Sequence, residues 1–177
     1  MAKERYFIAI VPPDKILQEV EKLKQDLLKE HSLKGSLRSP AHITLHMPFE
    51  WEETKEVDLI NHLSTFHFGK SFHIDLENFG CFEPKVIFLA VNPTETLQTL
   101  YISLRHHMKQ IQIFNEAENP RGFHPHMTIA FRDLKKNKFP LVWQQFQNQS
   151  FSANFQCSAF YLLKLREKWE ILQGFDI

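Results

Sequence analysis

The chain carries one pattern twice. "FIAIVPP" begins at Phe7 and "FLAVNPT" at Phe88, 81 positions later; each is a short apolar, β-rich run that stops at proline. A helical stripe follows each run. In the first copy it is Ile16, Val20, Leu23, Leu27 and Leu28; in the second it is "TETLQTLYISLRHHMKQI", which opens on a capping-box-like Thr94 with Glu95 in its first turn. The polar loops "SLKGSLRSP" and "NEAENPRG" then lead into "AHITLHM" and "HMTIAF", so that His42 and His126 fall 84 positions apart. Beyond them "EETKEVDLINHLSTFHF" and "FPLVWQQFQNQ" read as helices, while "SFHIDLENF", "FSANFQCSAFYLLKL" and "KWEILQGF" read as strands. A unit of about 80 residues used twice leaves few folds open. It predicts an α+β protein of duplicated β-α-β units, at roughly 5–82 and 86–177, related by a pseudo-two-fold axis with equivalent strands facing one another. No Gly/Ser linker divides the copies, so residues 1–177 are expected to form a single domain.

Strand parity turns the repeat into chemistry. Successive side chains on a strand point to opposite faces, so His42 shares a face with Thr44, and His126 with Thr128, each pair about 6.6–7 Å apart. Ile43, Leu45, Met127 and Ile129 then face the core. A buried polar group without a partner costs roughly 1–3 kcal/mol, so two such strands ask for a reason. On a pseudo-dyad His42 is expected to face His126, and Thr44 to face Thr128, across a central cleft. Imidazoles titrate near 6.5, so one ring can be neutral while the other is charged. Such a pair takes a proton from an attacking water and gives one to a leaving oxygen, each transfer being worth about 10²–10⁴-fold. The threonine hydroxyls can hold non-bridging phosphate oxygens. Composition alone would supply about 0.4 His-x-Thr triplets in such a chain, so one copy says little; two at matching places in a repeat say much more.

Composition sets limits on the substrate. Lysine plus arginine equals aspartate plus glutamate, at 21 each, which argues against tight sequence-independent binding of long nucleic acid. A short or terminal nucleotide needs only a local site. Two cysteines, Cys81 and Cys157, form neither a disulfide framework nor a zinc cluster and read as reduced thiols. No signal-peptide pattern and no run of about 20 apolar residues is present, so a cytoplasmic protein that does not meet a membrane is expected.

"PAHITLHMPF" and "NPRGFHPHMTIAF" resemble the two signature motifs of the 2H phosphoesterase superfamily, which includes the 2'-5' RNA ligase and RNA 2',3'-cyclic phosphodiesterase proteins. The resemblance extends over nearly the whole chain in length, motif order and spacing. It implies the bilobal 2H phosphoesterase (2'-5' RNA ligase-like) fold with a central cleft, no cofactor and no metal. It further implies catalysis by His42 and His126, with Thr44 and Thr128 on the phosphate, His42 as proton donor and His126 as acceptor. The expected substrate is an RNA end or a small cyclic nucleotide, opened by a monomer. Ligation at 2'-5' ends is the same chemistry reversed. A non-catalytic module that binds nucleotides or RNA ends in the same cleft is the alternative.

Other residues join by position. Parity puts His46 and His124 on the faces of the catalytic candidates, at the cleft rim. A helical metal pair of His42 and His46 is disfavoured by Pro40, Pro48 and the β-branched residues between. Arg132 shares parity with His126, about 13 Å beyond Thr128, while Arg38 and Arg121 sit in the loops ahead of the motifs, and all three read as solvated more readily than as phosphate ligands. Phe123 reads as packing rather than as a base-stacking platform. His106 and His107 fall on a helix away from the motifs and are expected to be exposed, and His62 fits no pattern.

Overall fold

The structure, a computed structural model, describes residues 2–114 and 122–177. Strand β1 (Lys3–Ile10) leads to helix α1 (Asp14–His31), then β2 (Ile43–Glu52), α2 (Glu56–Ser64) and β3 (Phe72–Phe82). The second round runs β4 (Val86–Val91), α3 (Glu95–Lys109), β5 (His126–Ala130), α4 (Phe139–Phe146), β6 (Ser152–Cys157), β7 (Ala159–Leu165) and β8 (Trp169–Asp176). The run read as one strand from Phe151 to Leu165 is two strands, broken at Ser158. Thr94 caps α3 as its sequence suggests, its hydroxyl accepting the Leu97 N–H at 3.1 Å.

Among the described residues, the strands form one eight-stranded sheet in the order β6-β3-β4-β5-β2-β1-β7-β8, and every neighbouring pair is antiparallel. The order mirrors itself about the β5–β2 junction: each motif strand is followed outward by the strand that opened its own round, β4 or β1. The next strand out is exchanged. β3 lies against β4, and β7 lies against β1, so one half of the sheet takes β3 from the first round and the other takes β7 and β8 from the second. Register shifts in four of the pairings bend the sheet, as bulges do.

One face carries the core. Ile43, Leu45, Met127 and Ile129 join Ile16, Val20 and Leu27 of α1, Leu59 and Leu63 of α2, Leu100 and Leu104 of α3, and Val142 of α4 in one buried cluster. The other face is open and holds a small cluster of Phe7, Ala9, Leu163 and Trp169. His107 departs from its sequence reading. It is half-buried and stacks on His62 with ring centroids 4.0 Å apart, and each ring donates its Nε2–H to the other's backbone carbonyl, at 2.9 and 2.8 Å. The pair joins α2 to α3. Among the described residues, no helix is long and apolar enough to cross a membrane.

Candidate active site

β2 and β5 are hydrogen-bonded neighbours with Ile43 opposite Met127. In an antiparallel pair that register puts His42 opposite Thr128, and Thr44 opposite His126. The two histidines are therefore diagonal neighbours, with backbones about 7–8 Å apart. The dyad expectation is corrected in this respect: like residues do not confront one another across two walls, and the four polar side chains form the floor of the open face. The pseudo-dyad passes through the Ile43–Met127 pair, and both of those side chains are fully buried beneath the floor. His42, Thr44, His126 and Thr128 are all half-buried.

The two imidazoles are held alike. His42 Nδ1–H donates to the Pro40 carbonyl at 2.7 Å, and His126 Nδ1–H donates to the His124 carbonyl at 2.8 Å. Each acceptor lies two residues upstream, so each ring is tied to its own lead-in loop. A ring that donates from Nδ1 keeps Nε2 for the open face. Phenylalanines wedge both rings: Phe7 lies 4.8 Å from His42, and Phe88 lies 5.0 Å from His126. Phe88 can lie close because its partner on β3 is Gly80, where a Cβ would come within 2.5 Å of the Phe88 ring.

Burial pushes the His42 pKa down to about 4 against the pull of its Pro40 hydrogen bond, and the Lys24 ammonium and the His126 ring add to the depression. Burial also lowers His126, opposed by its bond to the His124 carbonyl and helped by the His124 ring. Lys24 is a residue that sequence reasoning passed over. It is buried on α1, donates to Glu21 at 2.8 Å and to the Ser39 carbonyl at 3.0 Å, while Glu21 accepts the Ala41 N–H at 2.9 Å. The Glu21–Lys24 pair thus fixes residues 39–41, from which His42 hangs. The available signal was a lysine set in the apolar stripe between Val20 and Leu27.

A second missed residue is Asp133. Its carboxylate accepts the N–H groups of Lys34 at 2.6 Å and Gly35 at 2.9 Å, joining the exit of β5 to the turn ahead of β2. Gly35 is required there, since a Cβ would stand 2.5 Å from the Phe131 carbonyl oxygen.

His46 does not lie at the cleft rim. Ile8 pairs with His46 and Ala9 with Thr44, so a bulge at Leu45 reverses the parity. His46 is instead buried on the core side with Ile8, edge-on to Phe49 at 5.3 Å, and donates Nδ1–H to the Met47 carbonyl. His124 is exposed beside Phe82, 5.1 Å away. Arg132 is also off the parity line: β5 ends at Ala130, Arg132 has φ 68°, and its guanidinium lies over the Phe131 ring. Arg38 is exposed and reaches the Glu167 carbonyl at 3.5 Å. Phe123 stacks on Tyr101 at 3.9 Å, in packing as expected. Arg121 lies outside the described residues.

Comparison with known proteins agrees with this architecture. A Geobacillus sp. (strain WCH70) protein, assigned by name only to the phosphoesterases, is 26% identical over 97% of this chain and 95% of its own. The crystal structure of E. coli LigT with 3'-AMP superposes with a TM-score of 0.72 at 19% identity, covering 99% of both chains. TT0787 of Thermus thermophilus gives 0.71 at 18% identity over 97% of both. These likenesses show the LigT-like 2H phosphoesterase fold. The family model of the 2'-5' RNA ligase superfamily matches residues 12–169, and the chain belongs to that superfamily.

Proposed function

We propose that the chain is a phosphodiesterase that opens 2',3'-cyclic phosphates on RNA ends or nucleotides without a metal ion, using His42 and His126 as acid and base. The observation that carries this is the matched pair of imidazoles. Two rings from separate motifs flank one polar floor, each with Nδ1 bound to a carbonyl and Nε2 left for substrate. One neutral Nε2 takes a proton from water as its oxygen attacks phosphorus. The other ring, protonated, gives its Nε2 proton to the departing ribose oxygen, leaving a phosphomonoester. Thr44 and Thr128 donate to the non-bridging oxygens, where charge builds in the transition state. A phosphate anion between the rings favours the charged imidazole, offsetting the burial that depresses both pKa values. Burial lowers both rings, His42 to about 4, which disfavours a proton on His42 in the free protein, whereas the resemblance gives that ring the donor role. The product isomer identifies which ribose oxygen left. Ligation of 2'-5' ends follows the same steps reversed. E. coli LigT, of the same fold, has been crystallised with 3'-AMP, NADP+ and ATP, which supports a nucleotide-sized occupant of the cleft.

The test is to incubate the protein in EDTA with an oligonucleotide ending in a 2',3'-cyclic phosphate, beside His42→Ala and His126→Ala. Opening by the wild type is expected, reduced by about 10²–10⁴-fold in either variant. Activity that survives both substitutions would sink the mechanism. Nucleotide binding without any turnover would favour the binding-module reading instead.

A further inference from the structure

A cavity of about 250 Å³ opens between the end of β1, the start of α1, the end of β6 and strands β7 and β8. Its near wall is Val11, directly after Ile10, whose partner Ile43 directly follows His42. Its floor is Tyr161, opposite Ala9, which in turn is opposite Thr44. Two strand spacings, about 10 Å, thus separate Tyr161 from Thr44. The tyrosine ring lies flat because its partner on β8 is Gly174, where a Cβ would come 3.0 Å from the ring. Ile171, 47% exposed, and Leu17 add apolar surface, while Gln156 and Ser158 make the far side polar.

The chemistry of the lining selects its occupant. Among the described residues, no lysine, arginine or histidine lines the cavity, and Asp14 is its only charged residue. A second phosphate is therefore disfavoured. The volume falls below the roughly 300–1,000 Å³ of whole-ligand sites and suits one part of a ligand. A flat aromatic floor with a carboxylate at the margin matches a nucleobase that carries an exocyclic amine. The Asp14 carboxylate is exposed in the first turn of α1.

We propose that this cavity seats the base of the nucleoside whose phosphate lies on the histidine pair, with Tyr161 stacking on the ring and Asp14 accepting from an amine of adenine or cytosine. The proposal rests on the nucleotide reading of the cleft. It makes Tyr161 and Asp14 the residues that set base preference, and it explains why Ile171 is left uncovered.

Calorimetric titration with 2'-AMP, 2'-UMP and inorganic phosphate tests it without relying on turnover. The wild type is expected to bind 2'-AMP more tightly than either of the others. Tyr161→Ala weakens 2'-AMP by about tenfold or more relative to phosphate, Tyr161→Phe restores it, and Asp14→Asn narrows the gap between 2'-AMP and 2'-UMP. Equal binding of 2'-AMP by wild type and Tyr161→Ala overturns the proposal, as does a wild type that holds 2'-AMP no better than phosphate. The two readings fail separately. Tyr161-dependent binding without opening of cyclic phosphates retains the base site and removes the hydrolase. Opening of adenosine, uridine and baseless ribose 2',3'-cyclic phosphates at one rate retains the hydrolase and removes the base site.

Discussion

At the scale of single residues, the catalytic candidates depend on groups that never touch the open face. Lys24 stands under the loop that carries His42, and its ammonium disfavours a proton on that ring. Removing the charge should raise the His42 pKa, because a like charge nearby penalises only the protonated form. In Lys24→Met the neighbouring Glu21 carboxylate, freed of its ion pair, adds to the rise. The ring proton shifts of His42, followed by NMR from pH 3 to 8, should show a midpoint above the wild-type value of about 4. The acid limb of kcat/KM, which reports the free enzyme, should move up with it. An unmoved or lowered midpoint would remove Lys24 from the electrostatics of the site. His126 supplies the internal comparison, since burial and His124, not Lys24, lower its pKa.

At the scale of elements, the His-x-Thr strands were legible in the sequence because period-two alternation and repetition are local facts. The bulge at Leu45 was not, since it is defined only against the partner strand β1, and one extra residue sends His46 to the opposite face. His46→Ala should therefore act on stability: truncation of this fully buried ring beside Phe49 costs about 2–4 kcal/mol by analogy with other large-to-small core changes. The folded variant should keep its turnover within about threefold, and a hundredfold loss of kcat at full folding would return His46 to the site. The Asp133 clip was equally hidden, because it joins residues 98 and 99 positions apart in sequence. Asp133→Ala removes two hydrogen bonds from loop N–H groups to a charged acceptor, at a cost of about 1–3 kcal/mol. Gly35→Ala should be of similar size, because its Cβ would meet the Phe131 carbonyl and the same carboxylate. Urea midpoints of the two single variants and the double variant measure this. Simple additivity would refute the shared clip, since residues in one network couple.

At the scale of the whole molecule, the repeat foretold two rounds of the same elements, yet not that β3 and β7 would be exchanged between the halves of the sheet. Strand pairing at that range is decided by the whole set of edges available, which no window of sequence contains. The exchange ties buried groups from both rounds into one core, and on its two sides stand four imidazoles whose pKa values burial lowers: His42, His46, His107 and His126. The unfolded chain takes up protons on these rings near 6.5, while the folded chain resists. More protons are then bound by the unfolded state, so stability must fall as the pH drops below about 6.5. His42 continues that fall to about pH 4, where its folded form is itself protonated. Glu56 acts in the same direction at lower pH. Burial pushes its carboxyl up, yet hydrogen bonds from Lys164 and Tyr6 hold it below 4.5, so its contribution is lost as the pH falls past that value. Urea midpoints should be level from pH 8 to 7 and decline steadily from 6.5 to 4. His107→Gln, which takes one ring from the stack with His62, should make the upper part of that decline shallower. A protein more resistant to urea at pH 5 than at pH 7 would contradict the assignment, because that slope requires groups whose pKa folding raises, not lowers.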